Sequence, residues 1–567
     1  MPLLARLSSS SSILRKRSPI VMQWWRASTW IVISACAASP SASTSEIVGT
    51  SAAPYIVREI DSETACWQAT PADNFEGRFV DATADLGLVE PLLGMRAHAA
   101  AWGDVNGDGR PDLVVGTFAG ADGATFAVRG ALGPAPDRLL FANSRNFEVA
   151  EEFLDEPART SGAAFADLDN DSDVDLVLSR YPRDRAPGPS LILENSGGQL
   201  VERQSPGLPS AIAGRSIGVL DYDRDGLLDL LMVSDPRGDA DSKLLRNLGN
   251  LEFEDVTTSS FVEGVFGLGI GIADVNLDFL PDVFVGGSNR LFLGTDGALR
   301  EVEGIADEFE WEKFGPEDDV AGVAIGDLNR DGFPDIVLGH HFNSTLDQGR
   351  SVPIRVYLHA GVDGSDGLVY RDVTDQTGLP GIPTKAPHVE IADMDNDGWP
   401  DLVTTASAGQ DPAVFFHRGL EAGIPLFSSP DALGSAQYWV TGPTLDVDRD
   451  GRLDIFLAEW DPALPSRLLL NKGSAGNWLS LEFTNPGRGI GNKVSIFQPG
   501  SEFQLGGLMR ATEVSATVGY TAGTAGIAHF GIGNLNAVDV QIETPTGEVE
   551  QVLAMAANQH VRLPDGC

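Results

Sequence analysis

Residues 104–112 read DVNGDGRPD, a nine-residue stretch in which side chains with oxygen atoms stand at four of the five odd-numbered positions. Asp or Asn stands at positions 1, 3, 5 and 9, and Gly stands at position 6. Ca²⁺ takes several oxygen ligands at once, and a backbone carbonyl at position 7 can add another. Glycine at position 6 permits the sharp reversal that lets so short a loop surround an ion. The stretch therefore predicts a calcium-binding loop.

Six further copies of this stretch follow along the chain. They are DLDNDSDVD (167–175), DYDRDGLLD (221–229), DVNLDFLPD (274–282), DLNRDGFPD (327–335), DMDNDGWPD (393–401) and DVDRDGRLD (446–454). Their first residues are 63, 54, 53, 53, 66 and 53 positions apart, which indicates a repeat architecture. Residues that merely made turns would not keep an acidic side chain at positions 1, 5 and 9 in every copy. Ser172 and Phe279 replace the glycine, so we expect weaker binding in those two loops.

Positions 1, 3, 5, 7 and 9 of all seven loops are the candidate calcium ligands, position 7 through its carbonyl. They are Asp104, Asn106, Asp108, Arg110, Asp112, Asp167, Asp169, Asp171, Asp173, Asp175, Asp221, Asp223, Asp225, Leu227, Asp229, Asp274, Asn276, Asp278, Leu280, Asp282, Asp327, Asn329, Asp331, Phe333, Asp335, Asp393, Asp395, Asp397, Trp399, Asp401, Asp446, Asp448, Asp450, Arg452 and Asp454. At positions 1, 3, 5 and 9, 25 side chains are acidic, and such crowding disfavours folding unless cations neutralise it. Seven calcium ions carry fourteen positive charges and would bring the net charge from −42 to −28. So acidic a chain is not expected to bind nucleic acid.

The sequence around each loop predicts four β-strands per repeat. A run of small and apolar residues precedes the loop, a β-rich run such as DLVVG follows it, and two further strands separated by Gly-rich turns complete the unit. The seventh repeat lacks its fourth strand, whereas GRFVDATADLGL (77–88) resembles one without a repeat of its own. We therefore predict an all-β fold, a seven-bladed β-propeller over 77–473, with 77–88 completing the seventh blade. Residues 476–567 alternate short strands with turns and predict a small C-terminal β-sandwich.

The repeats resemble the FG-GAP/VCBS repeats, which also form the heads of integrin α-subunits. Residues 476–567 resemble the ASPIC/UnbV domain in the stretches Asn477-Trp478-Leu479, Ile490-Gly491, Glu513-Val514, Gly519-Tyr520 and 529–533 (HFGIG). They depart from it at 544–547, where TPTG stands for the usual Trp-Pro-Ser-Gly, and in the histidine missing before Trp478. The combination looks like a bacterial relative of the cartilage acidic protein family. That resemblance implies calcium binding and an extracellular setting, without an established activity.

The first 36 residues read as an export signal, with a basic segment followed by an apolar run too short to span a bilayer. Ile33-Ser34-Ala35-Cys36 resembles a bacterial lipobox, in which Cys36 would carry the lipid; plain cleavage after Ala37 is the alternative. Residues 37–76 read as a flexible tether. Cys66 and Cys567 could pair in an oxidising compartment or remain two thiols, and the sequence leaves both open.

A group of basic and aromatic residues precedes the predicted first strands, at the end opposite the calcium loops. It comprises Arg96, His98, Arg159, Arg215, Lys385, His388 and Trp439. This placement predicts a surface for an anionic group of a glycan or protein partner, although pairing with Glu317, Asp318 and Asp319 would also account for the charges. We therefore expect a calcium-stabilised surface or secreted binding protein. The alternatives are a polysaccharide lyase or hydrolase with His98 or His388 as base, and a purely structural envelope component.

Overall fold

The computed structural model describes most of the chain after residue 46. The described residues are 47–48, 55–58, 65–69, 78–119, 123–131, 133–182, 189–209, 212–238, 240–261, 263–311, 313, 318–341, 351–363, 367–407, 411–428, 431–433, 438–473, 475–483 and 489–563. They belong to one compact unit, Ser45–Cys567. The predicted export signal with Cys36, most of the predicted tether, and Cys567 lie outside the described residues. None of the helices in the described part has the length and apolar character needed to cross a membrane.

The chain is all-β, and seven sets of four antiparallel strands follow one another, which we number sheets 1 to 7. Sheet 1 has Ala97–Gly103, Asp112–Thr117, Arg138–Ala142 and Phe147–Val149; sheet 2 has Thr160–Ala166, Asp175–Arg180, Leu191–Asn195 and Leu200–Arg203. Sheet 3 has Gly214–Leu220, Asp229–Ser234, Lys243–Asn247 and Phe253–Asp255; sheet 4 has Gly267–Ala273, Asp282–Gly287, Arg290–Thr295 and Ala298–Glu301. Sheet 5 has Val320–Gly326, Asp335–His340, Arg355–Asp363 and Gly367–Asp372; sheet 6 has Val389–Ala392, Asp401–Thr404, Ala413–Phe415 and Asp431–Ala432. Sheet 7 has Thr444–Leu445, Asp454–Leu457, Arg467–Asn471 and Phe79–Asp81.

The fourth strand of sheet 7 comes from the start of the described propeller-like region rather than from its end. Phe79–Asp81 pairs antiparallel with Arg467–Asn471, and Val80 lies opposite Leu470. The hydroxyl of Thr83, just beyond the strand, also accepts the Leu468 N–H at 3.0 Å. Segments almost 390 residues apart are thus held in one sheet, an arrangement that fastens the two ends of the repeat array to each other.

Neighbouring sheets pack through separate hydrophobic cores. Sheets 1 and 2 share a core that contains Val114 and Leu176, and comparable clusters lie between each later pair of neighbours. A further cluster joins sheet 7 to sheet 1, with Phe456 packed near Trp102. The first strands are rich in Gly and Ala because their side chains meet the neighbouring first strand at close range. A Cβ on Gly162, for example, would lie 2.2 Å from the Arg215 carbonyl oxygen.

The remaining strands form two C-terminal sheets. Sheet 8 contains Ile47–Val48, Tyr55–Arg58, Val549–Ala556, Ala537–Glu543, Lys493–Phe497 and Leu508–Glu513; sheet 9 contains Ala65–Gln68, Gln559–Leu563, Asn477–Phe483 and Ala528–Gly533. One hydrophobic core draws on both sheets. Sheet 6 carries an additional hairpin, and the described helices are short. These elements are His417–Glu421 with Ile424–Phe427, the α-helices Val89–Leu92, Gly123–Val128 and Thr257–Ser260, and the 3₁₀ helices Ile305–Phe309, Thr374–Gln376 and Leu505–Gly507.

Part of the predicted tether is not a tether. Tyr55–Arg58 pairs in parallel with Val549–Ala556, and Ala65–Gln68 pairs with Gln559–Leu563. Trp67 packs on Trp478 with ring centroids 4.8 Å apart. The prediction was wrong for these residues because it weighed the Ser- and Ala-rich composition and overlooked short apolar runs that complete sheet edges. Cys66, in the second of these strands, is disulfide-bonded, and its partner lies outside the described residues.

A segment of the C-terminal part, residues 514–527, reaches the first strands of several numbered sheets; we call it the axial hairpin. Ala522–Gly523 pairs in parallel with Ala100 and Ala101 of sheet 1, and Gly519 bridges Val323 of sheet 5. Tyr520 is 2% exposed and packs in a cluster with residues of sheets 4 and 5. Since one short segment touches so many first strands, those strands must converge around it.

Candidate functional site

The seven acidic loops all occupy the same structural position, between the first and second strands of sheets 1 to 7. In the loop at 104–112, the Asp104 carboxylate accepts the N–H groups of Asp108 and Gly109 at 3.1 and 2.8 Å. Equivalent bonds to the position-1 carboxylate occur in all seven loops. Each position-7 N–H donates in turn to the position-5 carboxylate. The local fold predicted from one loop is therefore repeated; use of the position-7 carbonyls as ligands stays a prediction.

Ser172 and Phe279 adopt the conformation that glycine adopts in the other five loops. Their φ angles are 77° and 67°, in the left-handed region. A residue with a Cβ is held there at a cost of about 1–3 kcal/mol. The loops at 167 and 274 keep the common geometry but carry this strain. Weaker calcium binding in these two loops stays a prediction.

The position-9 aspartates accept hydrogen bonds both from the acidic loop and from the neighbouring strand of the sheet. Asp112 is fully buried, and its two carboxylate oxygens accept the N–H groups of Val105 at 3.0 Å and Ala142 at 2.8 Å. Five of the other six make the same pair of bonds, from position 2 and from the third strand, for example Asp229. Asp401 accepts its second bond from the N–H of His417, just beyond the third strand. Burial raises the pKa of Asp112 to about 7 and that of Asp229 to about 8. These carboxylates are therefore costly to ionise without a nearby cation.

Carboxylate oxygens converge in four of the loops, each oxygen within 4.8 Å of the others. The groups are Asp167, Asp169 and Asp175; Asp221, Asp223 and Asp225; Asp393, Asp395 and Asp401; and Asp446, Asp448 and Asp454. The other three loops carry asparagine at position 3, which offers an amide oxygen instead. Within the described residues, one buried oxygen on Asp393 and one on Asp395 have no hydrogen-bond partner. Unsatisfied, converging oxygens are what a hard divalent cation coordinates, so the residues fit calcium.

Basic side chains that the sequence analysis did not single out lie against three of these groups, and one of them is Arg78, 3.4 Å from Asp395. Lys472 contacts Asp448 and lies 2.7 Å from Asp450, and Arg246 lies 2.7 Å from Asp223. Lys472 directly follows a third strand, whereas Arg246 is the next-to-last residue of one. Because they stand at different positions of the repeat, no pattern in the sequence would have identified them. They offset part of the repulsion among the carboxylates, by less than a bound divalent ion would.

Neighbouring loops are joined by side chains at position 4, another feature that sequence reasoning missed. Each bond runs from the position-4 side chain to the position-6 carbonyl of the next loop. The pairs are Asn170 with Gly226 (2.9 Å), Arg224 with Phe279 (3.1 Å), Arg330 with Gly398, Asn396 with Gly451 (2.7 Å), and Arg449 with Gly109. The last pair links the seventh loop to the first. Gly107 and Leu277 hold position 4 in the remaining loops and have no side-chain donor.

The C-terminal sheets lie against the acidic loops. His529 contacts the Asn396 amide oxygen at 2.9 Å, and Arg562 lies 3.5 Å from Asp104. Glu513 accepts the Asp274 N–H at 2.8 Å, and burial raises the pKa of Glu513 to about 8. Gly531 approaches so closely that a Cβ there would lie 2.1 Å from an Asp393 oxygen. The loop at 393–401 is therefore covered by the C-terminal part.

The predicted ligand residues lie at the other end of the first strands, and the structure brings most of them together. Arg96 stacks on Trp460 at 4.1 Å, and Arg159 stacks on Phe118 at 4.1 Å. Arg215 lies 3.2 Å from a His98 ring nitrogen. Burial and the charges of Arg215 and Arg159 hold the pKa of His98 well below its usual value. Three arginines thus gather in this region, although the chain as a whole is strongly acidic.

Lys385 joins the same group through Tyr438, whose ring centroid is 5.9 Å from the lysine nitrogen. Tyr438 lies 5.9 Å from Trp460. The acidic partner of Arg215 is Asp235, at 2.6 Å, rather than the predicted residues 317–319. Within the described residues, the expected alternative of charge pairing therefore holds for Arg215, through a different carboxylate.

Two predicted ligand residues are buried. Trp439 is 1% exposed and packs in the core between sheets 6 and 7. His388 is fully buried, 3.1 Å from the Thr441 hydroxyl and 3.4 Å from Glu390. The prediction was wrong here because successive strand residues point to opposite sides, and position before a strand does not give side-chain direction. The axial hairpin also covers His388, since the Tyr520 N–H lies 3.4 Å from its ring.

The aromatic residues of this surface share one position in the repeat. Phe118, Tyr181 and Trp460 each stand six residues after the position-9 aspartate. Phe118 and Tyr181 directly follow a second strand, and Trp460 stands three residues after one. The same position holds Asp235 and His341 in sheets 3 and 5. Because the second strand runs antiparallel to the first, it ends beside the start of the first strand. Repeat register could thus have identified these residues from the sequence.

Comparison with known proteins agrees with the repeat geometry. FG-GAP-like repeats match residues 167–232, 221–285 and 393–457, and an FG-GAP repeat matches 97–127. The chain contains FG-GAP repeats. Each of these matches includes an acidic loop or the first strand before one, so the repeat assignment and the observed sheets coincide.

Several curated proteins with FG-GAP-type similarity align with the chain. Cartilage acidic protein 1 of Mus musculus is 27% identical over 374 residues, and that of Homo sapiens is 26% identical over 369 residues; each alignment covers 60% of this chain. The chain spans about half the length of these relatives, 53% and 52%. Integrin alpha-5 of Xenopus laevis is 26% identical over 247 residues, which cover 38% of this chain and 22% of the integrin. The chain is thus homologous to cartilage acidic protein 1.

Solved structures give weaker similarity. The exotype rhamnogalacturonan lyase YesX has a TM-score of 0.35 and 14% identity, covering 67% of this chain and 72% of the lyase. The biofilm matrix protein Bap1 of V. cholerae has a TM-score of 0.30 and 15% identity, covering 82% of this chain and 73% of Bap1. At these TM-scores neither structure bears on the function of this chain.

Proposed function

We propose that the chain is a calcium-stabilised binding protein built on a seven-bladed β-propeller. Each numbered sheet is one blade, and residues 77–88 complete the seventh blade, so that the propeller extends over 77–473. The shared cores between successive sheets, including the one between sheets 7 and 1, support this ring. Residues 476–567 form a β-sandwich of the ASPIC/UnbV type, supported by the core between sheets 8 and 9.

Calcium occupies the seven loops in this proposal. The ligands are the side chains at positions 1, 3, 5 and 9 and the carbonyls at position 7. The unpartnered oxygens of Asp393 and Asp395 and the converging carboxylate oxygens of four loops support this role. The ions relieve repulsion among the carboxylates. This stabilises the loops, which follow the first strands and lie against the C-terminal sheets.

A partner binds at the face opposite the calcium loops. The observation that carries this conclusion is the cluster of Arg96, Arg159 and Arg215 around Phe118 and Trp460 in a chain of net charge −42. Integrin alpha chains, to which the repeats are similar, support a binding role rather than a catalytic one. The partner is a glycan or a protein of the cell envelope or extracellular space, and export with lipid attachment at Cys36 would place the chain there.

A polysaccharide lyase is the second candidate, because the neutral His98 ring lies beside the Arg215 guanidinium, as a base beside a charge-neutralising group would. His98 is only 5% exposed, however, and the Thr521 hydroxyl of the axial hairpin donates to its carbonyl at 2.7 Å. A substrate would have to displace this packing, which favours binding without turnover.

The test is a pull-down of envelope glycans and proteins with the exported chain, in calcium and after chelation. We expect a partner to be retained in calcium only, and no new unsaturated sugar ends in the retained glycan. Recovery of no partner in calcium would contradict the binding function, and appearance of unsaturated ends would show the lyase instead. Elemental analysis of the same preparation gives the number of bound calcium ions.

A further inference from the structure

The basic and aromatic residues of the face opposite the calcium loops, which we call the ligand face, form one continuous arc over four adjacent sheets, 6, 7, 1 and 2. Lys385 and Tyr438 lie over sheets 6 and 7, Trp460 and Arg96 follow, and Phe118, Arg159 and Tyr181 continue over sheets 1 and 2. Successive members are linked at 5.9 Å (Lys385–Tyr438), 5.9 Å (Tyr438–Trp460), 4.1 Å (Trp460–Arg96), 5.5 Å (Trp460–Phe118), 4.1 Å (Phe118–Arg159) and 4.7 Å (Arg159–Tyr181). We call these seven residues the cationic arc.

The arc follows from the register of the repeat. Arg96, Arg159 and Lys385 each stand eight residues before the first aspartate of a calcium loop, and so does Tyr438. In sheets 3, 4 and 5 the same position holds Ala213, Phe266 and Asp319. At this position the cations belong to sheets 6, 1 and 2, with Tyr438 in the intervening sheet 7. A matching ligand must therefore present several anionic groups along an extended chain.

The aromatic rings fix the orientation of the guanidinium groups. Arg159 lies 4.1 Å from the Phe118 ring centroid and 4.7 Å from that of Tyr181, and these two centroids are 5.8 Å apart. A guanidinium held against aromatic rings donates hydrogen bonds from its edges. Carboxylates accept from such an edge through two oxygens. Arg96 lies against Trp460 at 4.1 Å, so the arc places two guanidinium groups, each held against aromatic rings, where planar carboxylates can bind.

We propose that the cationic arc binds a linear polysaccharide of uronic acids, which carries one carboxylate at regular intervals. The proposal rests on the binding function proposed above and narrows its ligand. Tyr181, Trp460 and Tyr438 are half-buried and lie between the cations, where sugar rings can pack on their apolar edges. The net charge of −42 does not prevent this contact, because at physiological salt charges farther than about 8 Å are largely screened.

An arc of several weak sites makes affinity depend on ligand length. A single glucuronate engages one cation, whereas a polymer engages several from one molecule at high effective concentration. We therefore expect binding of hyaluronan and heparosan, both linear uronate polymers, to rise steeply from disaccharide to longer oligosaccharides. Glucuronate alone and neutral dextran are expected not to bind measurably. Calorimetry or biolayer interferometry in calcium gives these affinities.

Substitutions distinguish the arc from the rest of the surface. Arg159→Gln and Arg96→Gln should each weaken long-oligosaccharide binding about tenfold, the loss of one charge-assisted hydrogen bond. Arg145→Gln is the matched control: it removes the same charge from an exposed turn between the third and fourth strands of sheet 1, on the calcium-loop side. Thermal unfolding in calcium checks that all three variants fold, and Trp460→Leu tests the arc without any change of charge.

The outcomes separate this proposal from the binding function on which it rests. Equal binding of poly-L-glutamate and hyaluronan, or binding of neither uronate polymer, would overturn the polysaccharide ligand. Unchanged hyaluronan binding in the two arginine variants would overturn the arc as the site. In each of these cases the pull-down can still recover another partner in calcium, and only its failure contradicts the binding function itself.

Discussion

The bond from Arg449 to the Gly109 carbonyl links the last acidic loop to the first, and its loss should destabilise the contact between sheets 7 and 1. We consider Arg449→Met, which keeps the aliphatic stem and removes the donor. A hydrogen bond from a charged donor contributes about 1.5–3 kcal/mol. Arg449 and Gly109 are both only half-buried, so water can reach the carbonyl that is left. We therefore expect the lower end, a loss of about 1.5 kcal/mol in the free energy of unfolding.

Two equivalent arginines turn this into a graded test. Arg330 makes the same bond to Gly398 but also stacks on Trp399 at 3.3 Å, and burial lowers the pKa of Arg330 to about 10. Arg330→Met should therefore cost more, about 3 kcal/mol. Arg224 is exposed, and Arg224→Met should cost least.

Denaturant unfolding at saturating calcium measures the series, with Arg145→Met as the control for removal of an exposed positive charge. Calcium titration of the same variants should show weaker calcium binding in each loop that loses its hydrogen bond to the neighbouring loop. The reasoning would be refuted if Arg449→Met and Arg330→Met unfolded like the control, or if the exposed Arg224 proved the most sensitive of the three.

Further expected outcomes concern the ions, the axial hairpin and acid. Chelation should lower the melting temperature strongly, and elemental analysis should find calcium in the untreated protein; an unchanged melting temperature with no bound metal would contradict the calcium sites. Tyr520→Ala empties a buried site among the first strands and should cost about 3–5 kcal/mol, whereas Tyr181→Ala on the half-exposed face should cost much less, as thermal unfolding would show. Burial lowers the pKa of His340 to about 3, so only the unfolded chain gains its proton between pH 6.5 and 5. Stability should fall by about 2 kcal/mol over that range, and His340→Gln should remove this part of the pH dependence in denaturant titrations at pH 7 and pH 5.

The repeat made the strand order of this chain predictable from sequence. The spacing of acidic residues placed each loop between two strands, and the strands are found at Ala97–Gly103 and Asp112–Thr117 as that spacing requires. The likeness of FVDAT (79–83) to later fourth strands predicted that this segment completes the seventh repeat, and Phe79–Asp81 pairs with Arg467–Asn471. Such features are local in the sequence or repeat within it, so their physical cause can be read from one unit.

Contacts between distant segments could not be predicted in this way. The strand Ala65–Gln68 joins sheet 9 through partners almost 500 residues later, and the axial hairpin contacts first strands from several repeats. Nothing in the composition of either segment specifies which edge or strand it meets. Side-chain direction was equally hidden at Trp439, where one residue's difference in register decides between the ligand face and the core.

The axial hairpin also bears on how calcium and ligand binding are connected. Glu513, just before the hairpin, accepts the N–H of the loop residue Asp274, while Thr521 near its tip donates to the carbonyl of His98 beside Arg215. One continuous segment thus contacts both an acidic loop and the opposite face. If calcium orders the loops on which the C-terminal sheets rest, removing it should loosen the hairpin and disturb the position of Arg215. Calcium-dependent ligand binding then needs no calcium ion in contact with the ligand.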